Sequence, residues 1–254
     1  MTLSARVTLA VVLCLLAVPR TAPAQVSVAE RDALTRQAET AGAKGLPVAP
    51  LMNKIREGVA KKHDAKRIEL VLTQMVTNME TADAIVREVE PAAAGASRDN
   101  AITLLSDALF SGLTAEEIRE LQRQVQTRAA QDLAGAAKGL AYVKEAMLPV
   151  NEGTGVMVEA VRRKFRAYEM LDLGREIKRR ETDYRSGRAS LRALRDAIAR
   201  GTRPDVLLRD SRAVTVERPA ATRPTTDRPE RTVPVDRPAR TDRPPDRPTD
   251  RPAR

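Results

Sequence analysis

The sequence predicts an all-α protein: an antiparallel helical bundle with one long helix over about residues 65–90, followed by a disordered Arg/Pro-rich tail. Three observations lead there. Aromatic residues make up 2% of the 254 residues and Trp is absent. A core must then come from Leu, Ile, Val, Met and Ala, whereas strands favour aromatic and β-branched residues. Ile68, Leu72, Met75, Met79, Ala82, Val86 and Val89 recur at alternating steps of four and three. That period is the seam of a coiled coil, which needs a facing helix. Finally, Ser27-Val28-Ala29-Glu30 and Thr114-Ala115-Glu116-Glu117 are capping boxes, in which hydroxyl and carboxylate satisfy reciprocal N–H groups at a helix start.

The elements follow in order. Residues 1–24 read as a signal peptide: Arg6 supplies the positive end, Val7 to Val18 the apolar run, and Ala22-Pro23-Ala24 the small-x-small pattern before a cut ahead of Gln25. The run is shorter than the ~20 residues that cross a bilayer. The expected location is therefore the periplasm or the extracellular space, with no transmembrane span in the mature chain. Cys14 is the only cysteine, so the mature chain has no disulfide, thiolate or Cys-ligated metal. Leu13 before it and the apolar run after it argue against a lipid-attachment cysteine.

Residues 25–212 form the helical domain, with places to divide near 91–100 or 149–155. A first helix runs from the Ser27 box to Ala43, with Gly42 or Gly45 to stop it. Pro47 and Pro50 open a second, striped by Leu51, Ile55 and Val59. Asp64 caps the long helix and Pro91 ends it; at about 1.5 Å per residue it is a rod of roughly 40 Å. Ala92 to Ser97 is a loop, Arg98 to Phe110 a helix, and Gly112 a stop. The Thr114 box starts a helix bearing Ile118, Leu121 and Val125, and Ala-rich sequence continues to Met147 as one helix or as two broken near Gly135. Pro149 to Gly155 reads as a turn. A helix from Val156 to Leu173 follows, extending through Gly174 toward Tyr184, then an amphipathic stretch from Ser190 to Arg200 with Gly201 as its stop, and a helical turn near Asp205 to Leu208. No fixed-period repeat is legible; the Gly-Leu pairs at Gly45-Leu46 and Gly112-Leu113 are a faint duplication. Residues 213–254 form the tail. Arg-Pro recurs at Arg218, Arg223, Arg228, Arg237, Arg243, Arg247 and Arg251, with too little apolar area to offset ordering.

The sequence carries no recognisable reactive constellation. The single His63 cannot form a two-His metal site and reads as a surface turn residue. There is no nucleophile elbow and no phosphate-cradling loop, and Gly153-Thr154-Gly155 reads as a helix–helix turn. Glu116 and Glu117 point to different sides of a helix, and Glu88 and Glu90 flank a helix end. The expectation is no enzyme, no cofactor and no metal.

Charge is uneven. Residues 25–159 carry 16 Lys and Arg against 19 Asp and Glu, whereas 160–216 carry 16 against 8. Within that basic third, Arg162, Arg163, Lys164 and Arg166 are expected on one helix, and Arg188, Arg192 and Arg195 on one helical face. These seven are the candidate contacts for an anionic polymer, since arginine offers a planar donor fork. Glu176, Glu181, Asp183 and Asp196 among them favour the alternative, a solvated ion-paired surface. No nucleic acid is expected, because the leader removes the chain from the cytoplasm.

Leu113-Thr114-Ala115-Glu116-Glu117, followed by Leu121-Gln122, resembles the Leu-Thr-x-x-Gln motif of the Spy/CpxP-type periplasmic chaperones, with Glu117 where that family has Gln. The resemblance spans about five residues and implies a small, all-α, exported protein that protects unfolded clients. A capping box accounts for the same residues. The sequence thus points to an exported, non-enzymatic helical interaction or scaffold protein of the cell envelope that docks a protein partner. A holdase-like chaperone and an anionic-polymer binder are the alternatives.

Overall fold

A computed structural model describes residues 26–209; the leader and the tail lie outside the described residues. Among these there are eleven helices and no strand: α1 Val28–Ala43, α2 Val48–Ala60, α3 Ala65–Val89, α4 Gly95–Phe110, α5 Ala115–Val125, α6 Ala130–Glu145, α7 Val150–Arg162, α8 Ala167–Arg179, α9 Glu181–Arg185, α10 Leu191–Ala199 and α11 Pro204–Arg209. The all-α class is as the residue pattern predicts.

The chain reverses through four-residue turns that share one chemistry. Gly45, Lys62, Gly112, Met147, Lys164 and Gly201 all have positive φ. In each turn that residue and the next return their N–H groups to the end of the preceding helix: Gly45 to Gly42 and Leu46 to Ala41, Lys164 to Val161 and Phe165 to Ala160, and so on through the set. This is the Schellman arrangement, which satisfies carbonyls that a helix leaves open. Leu46, Leu113, Leu148 and Phe165 follow the left-handed residue and are buried. The next residue then caps the following helix: Pro47, Asp64, Thr114, Pro149 and Arg166.

These turns expose a repeat that composition hides. α1 and α6 are both 16 residues, and α2 and α7 are both 13. In register with them, Gly45 matches Met147, Pro47 matches Pro149 and Lys62 matches Lys164. α4 is again 16 residues and leads into Gly112-Leu113. The two Gly-Leu pairs therefore belong to a set of three, and the third, Met147-Leu148, lacks the glycine that would have marked it.

The helices form two rows, as in stacked helical hairpins. α1, α3, α4, α6 and α8 pack in sequence in one row, which α11 closes against α8. In the other, α5 packs on α7 and α7 on α10, while α2 sits on α1 and α3. Cross-links between turns define two ends. At the upper end Arg98 donates to the Gly45 carbonyl (2.8 Å), Ala130 N–H to Glu90 (2.9 Å) and Arg163 to the Ala199 carbonyl. At the lower end Lys138 donates to Ser111 (3.2 Å), Lys144 pairs with Glu117 (2.7 Å) and Arg185 donates to the Ala146 carbonyl (2.7 Å).

The seven seam residues of α3 are all buried, and so are Asn78, Asp83 and Ile85. The stripe is wider than a coiled-coil seam because α3 packs on α1, α2 and α4 rather than on one partner. Asp83 takes the Arg98 guanidinium at 2.5 Å, tying α3 to α4.

Several boundaries depart from expectation. α4 starts at Gly95, three residues before Arg98. The Ala-rich stretch breaks at Gln126, which is left-handed (φ 54°) and returns its N–H to Gln122. Gly135 lies inside α6, because a Cβ there would stand 2.5 Å from Ala167 Cα of α8. The segment Pro149 to Gly155 is no turn: Pro149 caps α7, and Gly153 lets Val143 approach to where a Cβ would be 2.7 Å away. The helix expected from Val156 to Leu173 is cut at Lys164, whose left-handed backbone allows Phe165 to enter the core.

Gly139 of α6 and Gly174 of α8 meet backbone to backbone; a Cβ at Gly174 would lie 2.6 Å from the Gly139 carbonyl oxygen. Gly174→Ala is expected to cost about 1–3 kcal/mol by overpacking, a fall of several degrees in the melting midpoint. Gly155→Ala, where the nearest atom would be Arg195 Cδ at 3.4 Å, should leave the midpoint unchanged or raise it. Arg98→Met leaves Asp83, which is 8% exposed, with only the exposed Arg87 at 2.7 Å. It is expected to cost about 3 kcal/mol in denaturant unfolding.

Candidate functional site

The basic third places its cations at the upper end, in the turns between helices. Arg163 closes α7; its guanidinium meets Glu159 at 3.2 Å and the Ala199 carbonyl of α10. A cation there also suits the negative end of the helix dipole. Lys164 is exposed on the left-handed turn and has no ion-pair partner among the described residues. Arg166 caps α8: its N–H donates to the Glu169 carboxylate (2.6 Å), while its guanidinium lies 6.0 Å from the Tyr168 ring centre. Arg203 stands across from them, at the turn that follows Gly201. Together they line a cleft of about 440 Å³ between the α7–α8 and α10–α11 turns, with Glu169 and Asp205 as its carboxylates and the exposed Tyr168 as a wall. Glu169 is committed to the α8 cap. Four cations therefore face two acids, one of them already engaged.

Only three of the seven predicted residues, Arg163, Lys164 and Arg166, meet there. They do not lie within one helix as expected, because the chain leaves α7 after Arg162. Arg162 stays outside the cleft, 3.8 Å from Glu159. Arg188 does not share a helical face with Arg192 and Arg195. It precedes the Ser190 cap of α10 and gives both its Nε (3.0 Å) and an Nη (2.7 Å) to Asp183. Arg192 and Arg195 lie on α10 beside Glu152 in a separate shallow cleft. Arg203 is not found by sequence reasoning; its signal is the Gly-x-Arg-Pro run, which repeats the turn pattern.

A second basic cluster also escapes the sequence. Lys138, Arg175 and Lys178 surround the Tyr142 ring at 5.1, 5.9 and 5.8 Å. These residues come from α6 and α8, far apart in sequence. Glu145 pairs with Lys178 at 2.5 Å and Asp172 with Arg175 at 3.1 Å, so two of the three cations are neutralised, while Lys138 donates to Ser111 and the Asp107 carbonyl. His63 sits in the α2–α3 turn as expected, half-buried beside Lys61, Arg67 and Phe110. Among the described residues no group of three or more His, Cys, Asp or Glu is placed to hold a metal ion, and no helix is long and apolar enough to cross a membrane.

No family model, curated protein or solved structure matches the chain. The residues that resemble the Spy/CpxP motif have a local structural role. Thr114 Oγ accepts the Glu117 N–H (3.1 Å), Glu117 accepts the Thr114 N–H (2.7 Å), and Lys144 donates to both Glu117 oxygens. Burial pushes the Glu117 carboxyl up, but the bonds from Lys144 and Thr114 outweigh it and hold the group below its usual range. A depressed native value means stability that is present above the unfolded value and lost as pH falls through the native one. Glu117→Gln should therefore lower the melting midpoint at pH 7 and make the protein less sensitive to acid below about pH 4, read by thermal melts across that range.

Proposed function

We propose that the protein is an exported, non-enzymatic helical scaffold of the cell envelope whose upper end holds an acidic protein partner. One observation carries this reading. The upper-end turns of successive hairpins bear Arg128, then Arg163, Lys164 and Arg166, then Arg200 and Arg203. Of the lower-end turns that join the same hairpins, two, Ser111–Thr114 and Ala146–Pro149, bear no charge, and in the third, between α8 and α10, Arg180, Arg185 and Arg188 pair with Glu181 and Asp183. A row of cations spaced by the hairpin repeat suits an extended acidic surface, and desolvated guanidinium forks favour carboxylates. Export rests on the leader pattern of residues 1–24 and the absence of enzymatic activity on the missing reactive motifs. An anionic polymer would engage the same row and is the second reading. The holdase reading has less support, because the large exposed apolar side chains, Val28, Leu70, Phe110, Met147, Tyr168 and Val206, stand singly on separate elements.

A photoreactive residue at Lys164 or Arg203 in intact cells should yield a partner adduct that one at Ser111 does not. Lys164→Glu with Arg166→Glu and Arg203→Glu should abolish capture of that partner, and in the unaltered protein capture should weaken steeply with added salt. Equal adducts at all three positions, or salt-insensitive capture, would overturn the proposal.

A further inference from the structure

We infer that the lower end of the helical body docks on an anionic lipid surface, with Met147 and Phe110 entering the interface and Lys62, Lys66 and Arg67 meeting the headgroups. This goes beyond the scaffold reading and does not depend on it.

Met147 departs from the pattern of the other turns. It is 80% exposed and sits at φ 57°, where the matching turns have Gly45 and Gly112. A left-handed backbone strains any residue with a Cβ, and a solvated thioether recovers nothing by packing. Local folding accounts for neither the residue nor its exposure. Phe110, the last residue of α4, is 54% exposed; the matching ends of α1 and α6 carry Ala43 and Glu145. Both stand at the lower end, as do Val28 at the start of α1 and Leu70 early in α3, which are also exposed.

The charge around them complements a phosphate layer. Phe110 borders a cleft whose rim includes Lys61, His63 and Arg67. Lys62, Lys66 and Arg67 are exposed and have no ion-pair partner among the described residues. Of the neighbouring acids, Glu57 holds Lys54 (2.7 Å) and Lys61 (2.5 Å), Glu117 holds Lys144 and Asp64 accepts the Arg67 N–H, which leaves the exposed Glu69 as the acid facing these three cations. Apolar tips ringed by cations are how a protein lies on an anionic membrane.

The chain has no Trp, so a single introduced indole reports each end. Phe110→Trp and Tyr168→Trp proteins, in the form cells accumulate, are titrated with vesicles of phosphatidylglycerol and phosphatidylcholine, and of phosphatidylcholine alone. Emission from the indole at position 110 should shift to the blue with the anionic vesicles only, while the indole at position 168, at the upper end, should not respond. Met147→Gly combined with Phe110→Ser should lower vesicle affinity about tenfold in co-sedimentation, since two apolar tips are lost from the interface. Met147→Gly alone should keep or raise the melting midpoint, since glycine is at ease with positive φ. Lys164→Glu with Arg203→Glu should leave the affinity unchanged, which separates this result from the scaffold reading. No shift in the Phe110→Trp protein, a shift in the Tyr168→Trp protein instead, or a lipid-free shift that grows with protein concentration and marks a second copy as the occupant would each overturn the inference.

Discussion

Carbonyl groups at the end of an α-helix have no partner within it, and a chain that reverses in four residues has few ways to supply one. Here one left-handed residue does it, repeatedly. Each such turn returns two N–H groups to the preceding helix and then delivers a capping residue to the next. Because the turn is short and its hydrogen bonds are fixed, the chain changes direction sharply at each one: α1–α2, α2–α3 and α6–α7 then pack on each other, whereas α4–α5 and α7–α8 part into different rows. The length of the intervening helix then decides which turns share an end. The two rows, the upper end and the lower end all follow from that local constraint.

Packing completes what the turns begin. In the α6–α8 contact glycines replace side chains, so the backbones approach until Gly139 and Gly174 touch. At α3–α4 a charged link, Asp83 to Arg98, does the joining, and Arg98 reaches on to the Gly45 carbonyl. α3 and α4 are the one pair of successive helices in the first row without a second-row helix between them. The hairpin pattern is interrupted there, and a specific polar bond stands where the repeat supplies none. Asp83 and Arg98 thus hold two runs of hairpins in register at a junction where that pair of turn hydrogen bonds is absent.

How much of this is legible in the sequence depends on whether a residue type advertises its role. Ser27, Asp64 and Thr114 do, because short oxygen side chains before an apolar run have few other uses. The α3 seam does, since every seam position is buried. Gly45 and Gly112 do in part. Lys62, Gln126, Met147 and Lys164 do not: nothing in a lysine or methionine announces a left-handed backbone. Sequence reasoning therefore offers a break near Gly135 and a turn from Pro149 to Gly155, although both glycines lie inside helices. The same blind spot reaches the candidate site. With Lys164 read as helical, Arg162 to Arg166 fall along one helix and Arg203 has no link to them. The left-handed turn instead brings Arg163, Lys164, Arg166 and Arg203 around one cleft.

The two ends differ in a way that composition alone averages away. Upper-end cations belong to turns, where a cation at a helix C-terminus also suits the dipole; Arg163, which follows α7, does so. Its presence there therefore has a structural cause as well as an electrostatic consequence. Arg166 caps α8 through its backbone N–H, so the charges of Lys164, Arg166 and Arg203 have no such cause, and it is their charge that the fold leaves available. At the lower end the unexplained residues are apolar, and Met147 is the clearest, strained and exposed at once. Positions where a residue harms local stability without a packing return are where function is most visible. In this protein they fall at opposite ends of one set of hairpins. That separation would let a scaffold face a surface with one end and a partner with the other, without either contact competing for the same residues.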